Sequence, residues 1–390
     1  MNSILEKSKQ IQDWVVNLRR DFHRHPEPSL KEIRTSKIVA DELSKMGIKV
    51  YHICGTGVIG ILEGKAPGKV IALRADMDAL SVTEKTNLPF ASENPGFMHG
   101  CGHDCHTSML LGAAKLLSEM RDQFNGTVKF IFQPAEELAV GAKKLVENGV
   151  LKNPDVDFIF GMHIWADTPL NKVILQEGPF MASGDIWSLN IKGKSSHGSA
   201  PWQGIDAIVC ASAIIQSIQT IPSRINDARS PIVINVGTIK GGERFNVTPG
   251  DVQIEGMNRA FSAYSRKKIP EWIEKIAKNT CEAYGCKYEF NYNFKCAVTV
   301  NDRQGTKLIK NSIIKLIGEE GIIPSEKIMG SEDFSEYLEH VPGVLMLLGG
   351  RNEKNGCCYS HHSNYFNVDE NALPIGVASY VQIALDYLND

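Results

Sequence analysis

Three imidazoles, two thiols and a carboxylate lie within one short run, His99-Gly100-Cys101-Gly102-His103-Asp104-Cys105-His106. Thiolate and imidazole are the ligands that a borderline-soft cation such as Zn²⁺ prefers. Cys101 and His103 are two positions apart, so both side chains point the same way where the segment is extended. The following residues, 107–117, predict a helix. The run is therefore a candidate metal site at the start of a helix; a polar loop with incidental histidines is the alternative.

Carboxylates follow two apolar segments that predict strands. Residues 69–73 lead to Asp76 and Asp78, and residues 126–132 lead to the pair Glu136 and Glu137. Open α/β sheets place their sites at the carboxyl ends of strands. Asp76 can bind a metal directly or accept a hydrogen bond from a ligating histidine, and we favour the second role. Two solvated aspartates on a turn are the alternative.

The glutamate pair offers both a ligand and a base. One carboxylate can bind a cation while its neighbour removes a proton from a water as general base. Adjacent glutamates are common on helix surfaces, but the preceding strand and Pro134 place this pair at a strand end. The pair is therefore a second candidate for the same metal site.

Further histidines also follow predicted strands. His163 comes after residues 156–162, and His361 and His362 lie in a loop after residues 344–350. These positions suit metal ligands contributed by distant parts of the chain, although His163 could instead be a core histidine whose hydrogen bonds are all made within the protein. His23 lies near two prolines, and a structural or supporting role is favoured for it.

The elements that position these residues change in kind after residue 178. Before it, short apolar strands alternate with helices, as in an α/β domain. From about residue 185 to 293 the order is strand, helix, two strands, helix, strand, which indicates a small ferredoxin-like α+β domain. His197 and Asn246 lie in loops of that domain and can bind an oxyanion, or can be ordinary turn residues. After it the helical period returns, and the run Gly330-Ser-Glu-Asp-Phe334 predicts another helix start.

The bulk composition excludes several classes of protein. With 390 residues, two domains are expected. A net charge of -3 gives no electrostatic footprint for nucleic acid or an anionic membrane. No window is apolar enough for a membrane span, and no signal peptide is predicted. The nine cysteines are an odd number and scattered, which argues against a disulfide framework, so a cytoplasmic location is expected.

Together these motifs resemble the amidohydrolase branch of the aminoacylase/carboxypeptidase-type metallopeptidases, which includes hippurate hydrolases, auxin-conjugate hydrolases and N-acetyldiaminopimelate deacetylases. The resemblance extends from about Phe22 to the C-terminus. Its motifs are Arg74-Ala-Asp-Met-Asp-Ala-Leu, His99-Gly-Cys-Gly-His-Asp-Cys-His-Thr, Phe132-Gln-Pro-Ala-Glu-Glu, Gly161-Met-His, Ser196-His-Gly-Ser-Ala-Pro and His362-Ser…Phe366. Each motif alone is weak, but the set is highly specific.

The resemblance implies a fold and a set of roles. The fold is a mixed-sheet α/β/α catalytic domain of residues 1–180 and 295–390, with an inserted ferredoxin-like lid of residues 181–294 that mediates homodimerisation. By motif position, two divalent cations (Zn, Mn, Co or Ni) are implied, with Glu136 as the base. The implied ligands are Cys101, His103, Glu137, His163 and His362.

The resemblance also implies contacts to the substrate. His197 contributes from the lid to the oxyanion of the tetrahedral intermediate, within one chain or across a dimer. Asn246 and Arg259 are weaker candidates for contacts to the substrate. Many relatives outside the branch have a histidine where this chain has Arg74, a change that the branch shares and for which Cys101 compensates.

The expected activity is hydrolysis of the amide bond of an N-acyl amino acid, a small molecule, to a carboxylic acid and a free amino acid. A dipeptidase or carboxypeptidase on the same scaffold is the first alternative. A non-catalytic metal-binding scaffold is the second, and the carboxylate of Glu136 beside Glu137 weighs against it.

Overall fold

The computed structural model describes residues 3–324 and 326–390. The chain divides into two compact units. The first unit comprises Met1–Gly178, Val300–Glu326 and Asp333–Asp390, and the second comprises Pro179–Thr299 and Lys327–Glu332. Residues 327–332 join the second unit through backbone hydrogen bonds of Ile328 with Phe180 and Ala182. No pattern in the sequence predicts this return of the chain to the second unit.

The α-helices of the described residues are numbered in chain order, and two of them, α6 and α7, belong to the second unit. They are α1 (Ser3–Gln10), α2 (Gln12–Arg24), α3 (Ile33–Lys45), α4 (His103–Ser118), α5 (Gly141–Glu147), α6 (Ala207–Ile218), α7 (Ala263–Tyr284), α8 (Arg303–Ile317), α9 (Ser335–Leu338) and α10 (Leu373–Asn389).

The strands of the described residues are numbered in the same way. They are β1 (Lys49–Ile53), β2 (Gly57–Glu63), β3 (Val70–Asp76), β4 (Thr127–Gln133), β5 (Phe158–Pro169), β6 (Val173–Ile174), β7 (Gly178–Met181), β8 (Ser183–Lys192), β9 (Ser196–His197), β10 (Ile232–Gly241), β11 (Val247–Thr248), β12 (Asp251–Ala260), β13 (Lys287–Cys296), β14 (Thr299–Asn301), β15 (Ile322–Ile323) and β16 (Gly343–Arg351).

The first unit is built on a mixed sheet with the strand order β1-β2-β4-β3-β5-β16-β6-β15. Its central strands β4, β3, β5 and β16 are parallel to one another. Every residue of β3 is buried, because this apolar strand is covered on both faces of the sheet. Helices α4 and α10 pack against β3, while α5 packs against β4 and α9 against β16.

The carboxyl ends of the four central strands meet at one edge of this sheet. Asp76 at the end of β3 lies in register with Gln133 at the end of β4. The Glu136-Glu137 pair follows β4 directly, and His163 lies in β5. Parallel pairing thus brings together residues that are far apart in the sequence.

The start of α4 at this edge depends on a glycine. Gly102 has φ +88°, and a Cβ there would lie 2.5 Å from Cγ2 of Ile164. A side chain would be strained by the left-handed backbone and would collide with β5. Gly102 therefore lets the loop that carries Cys101 approach the sheet closely.

The second unit has a four-stranded antiparallel sheet in the order β10-β12-β8-β13. Its chain order is strand, helix, two strands, helix, strand, and α6 and α7 pack against each other and against the sheet. Side chains of β12 alternate between buried and exposed at its start, as expected when helices cover one face. Asp206 caps α6 by accepting hydrogen bonds from the N–H groups of Ile208 and Val209.

The predicted fold class is confirmed: a large mixed α/β sheet and a ferredoxin-like α+β unit. The run at residues 330–334 leads into a helix as predicted, since α9 begins at Ser335 directly after it. The carboxylate of Asp333 accepts hydrogen bonds from buried Arg74 and Gln133, which fixes this stretch as a loop. Among the described residues, no helix combines the length and apolarity needed to cross a bilayer.

Candidate metal centre

Cys101 is shared by two groups of potential ligands. In one group its Sγ joins ligand atoms of His103 and His163, and in the other it joins Glu137 and His362. Within each group all ligand atoms lie within 4.8 Å of one another. All five side chains belong to the first unit. A sulfur common to both groups can hold two neighbouring cations.

His163 has a tautomer fixed by the backbone. Its Nδ1 donates to the carbonyl oxygen of Ile164 at 2.5 Å, so Nε2 carries the lone pair and lies 3.5 Å from Sγ of Cys101. His106 accepts the N–H of Ile164 at its Nε2, 2.8 Å away. The backbone of Ile164 in β5 is thus hydrogen-bonded to both rings, and the unprotonated Nε2 of His163 faces the thiol of Cys101.

His103, the first residue of α4, has the arrangement typical of a metal-ligating histidine. Its Nδ1 lies 3.3 Å from Oδ1 of Asp78, but neither of its two buried nitrogens has a hydrogen-bond partner among the described residues. A carboxylate on the Nδ1 side favours the proton on that nitrogen and leaves the lone pair of Nε2 for a cation.

Asp78 also orders the glutamate pair, a role that the sequence analysis missed. Its carboxylate accepts the backbone N–H of Glu136 at 3.0 Å and that of Glu137 at 3.2 Å, and the hydroxyl of Ser29 at 2.6 Å. The signal for this role in the sequence is the alternation of Asp76, the last residue of β3, with Asp78 two positions later.

Asp76 has both carboxylate oxygens engaged. Oδ1 accepts from Nδ1 of His106 at 2.6 Å, and Oδ2 accepts from Arg74 at 2.8 Å. Although burial opposes it, the neighbouring His103, His106 and Arg74 hold the pKa of Asp76 well below its usual value. The nearest candidate ligand, Nε2 of His103, is 3.8 Å away. Asp76, His103 and His106 also form a group of potential ligands, so the supporting role of Asp76 stays a prediction.

Arg74 is buried and connects strand ends that are far apart in sequence. Its guanidinium donates to Gln133 at 2.8 Å, to Asp76 at 2.8 Å and to Asp333 at 2.9 Å. Gln133 donates in turn to Asp333. Arg74 is therefore a buried cation that joins two carboxylates beside the site.

We expect Arg74→Lys to destabilise the fold by about 1–3 kcal/mol, because an ammonium cannot reproduce the fork that serves three partners and a buried acceptor is left unsatisfied. Chemical denaturation followed by circular dichroism measures the change. Arg229→Lys is the control: that side chain is exposed and pairs with Asp227, and its replacement should leave the unfolding midpoint unchanged. Equal midpoints for both variants would contradict the prediction.

The glutamate pair enters the site through a strained turn. Ala135 has φ +55°, an uncommon conformation for a residue with a side chain. Its N–H donates to buried Glu32 at 3.0 Å. Burial raises the pKa of Glu137 to about 7, and its Oε1 has no hydrogen-bond partner among the described residues. Glu136 is half-buried and accepts the N–H of Asp333 at 3.4 Å.

The two late histidines occupy different positions. His362 has φ +64°, and its N–H donates to the carbonyl oxygen of Gly100 at 2.9 Å, which ties this loop to the one that carries Cys101. Nε2 of His362 lies 3.7 Å from Glu137. His361 accepts the N–H of Ala166 at its Nε2, 3.0 Å away. Burial and neighbouring imidazoles lower the pKa of His361 to about 3, so the ring is neutral.

Asp104, the second residue of α4, links this helix to α2 through hydrogen bonds. Its Oδ2 accepts from Nδ1 of His23 at 2.7 Å and from Arg19 at 2.9 Å, all of them buried. Nε2 of His23 lies 3.3 Å from Glu84. Both nitrogens of His23 thus face carboxylates, which agrees with the structural role favoured for it.

Three predicted residues belong to the second unit. His197 forms a short strand with Val247 rather than lying in an open loop, and its Nδ1 accepts the N–H of Ser199 at 3.1 Å. Asn246 accepts the N–H of Gly198 through its carbonyl at 2.8 Å. Arg259, in β12, donates to Ser331. Their roles toward a substrate stay predictions.

The donor set of the first unit fits two divalent cations. Nε2 of His103 and Oε1 of Glu137 are buried polar atoms that lack a partner among the described residues, and such atoms are costly unless something binds them. Burial raises the pKa of the Cys101 thiol, so a thiolate there requires a compensating cation. Sulfur, imidazole and carboxylate together suit Zn²⁺ and its neighbours among the transition metals.

Comparison with known proteins agrees with this geometry. The sequence pattern of peptidase family M20/M25/M40 matches residues 72–386. The chain belongs to this family. Because peptidases cleave amide bonds, the expectation of a hydrolase acting on amide bonds is confirmed at the level of the family, as is the resemblance stated above.

Individual relatives include both activities that the sequence left open. The chain is 39% identical to thermostable carboxypeptidase 2 of Saccharolobus solfataricus, over 98% of this chain and 97% of that relative. It is 38% identical to an N-acyl-L-amino acid amidohydrolase of Geobacillus stearothermophilus, over 90% and 94%. A crystal structure from Bacillus subtilis, described as a dinuclear metal-binding peptidase of family M20, superposes with a TM-score of 0.85 at 35% identity, covering 98% of this chain and 99% of that one.

Proposed function

We propose that the protein is a metal-dependent amidohydrolase that cleaves N-acyl amino acids and holds two divalent cations per chain. The observation that carries the proposal is the sulfur of Cys101, common to two groups of potential ligands, with Glu136 and Glu137 beside one of them. The Bacillus subtilis neighbour described as dinuclear and the relative named as an N-acyl-L-amino acid amidohydrolase support it.

In this proposal Cys101, His103 and His163 hold one cation, and Cys101, Glu137 and His362 hold the other. The bound cations supply Lewis acidity, which makes a water more acidic and polarises the scissile carbonyl. Cys101 favours Zn²⁺, while the carboxylate and imidazoles also suit Mn²⁺, Co²⁺ or Ni²⁺.

Glu136 acts as the general base in the proposed reaction. Its carboxylate takes a proton from the attacking water and delivers it to the departing amine. Asp78 holds the backbone of the glutamate pair, so the base is positioned before substrate arrives. His197 donates to the oxyanion: because Nδ1 accepts from Ser199, the neutral ring carries its proton on Nε2. Asn246 and Arg259 are proposed to contact the substrate.

We also propose that the protein is a homodimer formed through the second unit and works in the cytoplasm on a small-molecule substrate. That unit exposes Trp202, Tyr264 and Phe245 at 78%, 68% and 94% of their surfaces, and aromatic side chains are enriched at protein–protein interfaces. All nine cysteines are free, as in reducing compartments. Binding to nucleic acid or membrane is not part of the proposal.

A dipeptidase or carboxypeptidase activity is the second candidate, favoured by the relative named as a carboxypeptidase. Both activities need the same metal centre, and their substrates differ on the acyl side of the scissile amide, which is a simple acyl group in an N-acyl amino acid and an aminoacyl group in a peptide. A non-catalytic metal-binding scaffold is the least supported alternative, since the carboxylate of Glu136 lies beside the proposed ligands His103 and Glu137.

Hydrolysis of N-acetyl- and N-benzoyl-amino acids, compared with free dipeptides, tests the proposal. Chelated protein should be inactive, and activity should return with one or more of Zn²⁺, Mn²⁺, Co²⁺ and Ni²⁺. Turnover of acyl-amino acids in preference to dipeptides is the expected result. The reverse preference would support the peptidase, and metal-loaded protein inactive on both panels would overturn the proposal.

A further inference from the structure

The ring of His361 is held in a fixed orientation beside the proposed metal centre. Its centroid lies 4.6 Å from that of Trp165, 5.0 Å from Phe366 and 5.2 Å from His163. A ring packed against three others has little freedom to turn. The positions of its two nitrogens are therefore well defined.

The hydrogen bonds of His361 fix its tautomer. Nε2 accepts the backbone N–H of Ala166 at 3.0 Å, so that nitrogen has no proton. The single proton of the neutral ring is therefore on Nδ1. Nδ1 lies 3.9 Å from Sγ of Cys101, within the range of hydrogen bonds to sulfur. An N–H on this side can donate to the sulfur but has no lone pair to offer a cation.

The adjacent histidines His361 and His362 thus present different groups to the proposed metal centre. His362 shares a group of potential ligands with Cys101 and Glu137, whereas the sulfur-facing nitrogen of His361 is protonated. The left-handed backbone of His362 separates the two side chains. The backbone carbonyl of Cys101 is a further acceptor near the His361 ring, so the test must report on the sulfur itself.

We propose that His361 is a positioning residue that donates its Nδ1–H to the sulfur of Cys101. This inference depends on the proposed function, because it concerns the sulfur shared by the two cation sites. The hydrogen bond holds Cys101 in the orientation that serves both groups. It also withdraws electron density from the sulfur, and so weakens the donation of electrons from sulfur to metal.

Cobalt substitution tests the inference with a spectroscopic signal as well as an affinity. Metal-free protein is titrated with Co²⁺, and the thiolate-to-cobalt charge-transfer band is recorded for wild type, His361→Phe and His361→Asn, with Cys101→Ala as the blank. Phenylalanine keeps a packed ring without any N–H. Asparagine has an amide nitrogen at about the place of Nδ1 and can restore the donor.

His361→Phe should shift the charge-transfer band to lower energy, because the sulfur regains electron density. It should also weaken cobalt binding by about 10- to 100-fold, the usual effect of removing a partner of a metal ligand, because Cys101 is no longer held in its orientation. His361→Asn should return the band toward its wild-type position. A band unmoved in His361→Phe would overturn the inference, and so would equal shifts in both variants, since that result indicates packing alone. Wild-type protein that binds Co²⁺ with no charge-transfer band would instead overturn the proposed metal centre.

Discussion

Glu136→Ala is expected to lower kcat by about 10²- to 10⁴-fold, the usual contribution of a positioned general base, while the protein still binds two metal ions. Glu136 is half-buried at the end of β4, and its backbone is held by Asp78. It also lies near His103 and Glu137, so its carboxylate is close enough to act on a water in the centre. Steady-state hydrolysis of an N-acyl amino acid and metal analysis of the dialysed protein measure the two effects.

The neighbouring residue provides the matched control. Glu137→Gln changes the same loop by one atom but removes a proposed ligand, so it should lower the bound metal content as well as kcat. If Glu136→Ala lost metal and Glu137→Gln kept it, the two roles would have to be exchanged. Wild-type activity in Glu136→Ala would eliminate it as the base.

Cys101→Ala should abolish activity and weaken metal binding more than any other single replacement of a proposed ligand. It removes the sole atom common to the two groups of ligands, so both cations lose a bond. Because changing a residue that merely supports a ligand already costs about 10- to 100-fold in affinity, we expect a loss of at least about 100-fold. Competition with a chromogenic chelator measures the affinity.

Cys105→Ala is the control for this experiment. Cys105 is fully buried in α4, close in sequence to the centre, but belongs to neither group of ligands. Its replacement should leave the metal stoichiometry and kcat close to wild type, because only a small apolar group is lost. Tight binding of two metal ions by Cys101→Ala would contradict the shared-sulfur arrangement.

The chemistry of this protein was largely determined by local sequence. Cys101 and His103 lie in one short run, and the glutamate pair follows the end of β4 as predicted. The strand predicted to end before His163 instead continues to Pro169, so His163 lies within β5. Parallel strands end at a common edge, so an order of strands and helices is enough to predict that such residues converge. The alternating elements of the second unit likewise predicted its ferredoxin-like order.

Only the tertiary structure decided how these residues divide their roles. Arg74 and Asp333 are 259 positions apart, and no local pattern predicts the hydrogen bond between them. Asp78, rather than Asp76, lies behind His103, since the direction of each carboxylate depends on how β3 ends. Motif position already implied His362 rather than His361 as a ligand, and the structure adds that the N–H of Ala166 fixes the tautomer of His361. Sequence spacing determines which residues can meet, whereas hydrogen bonds from distant backbone determine which nitrogen or oxygen each one presents.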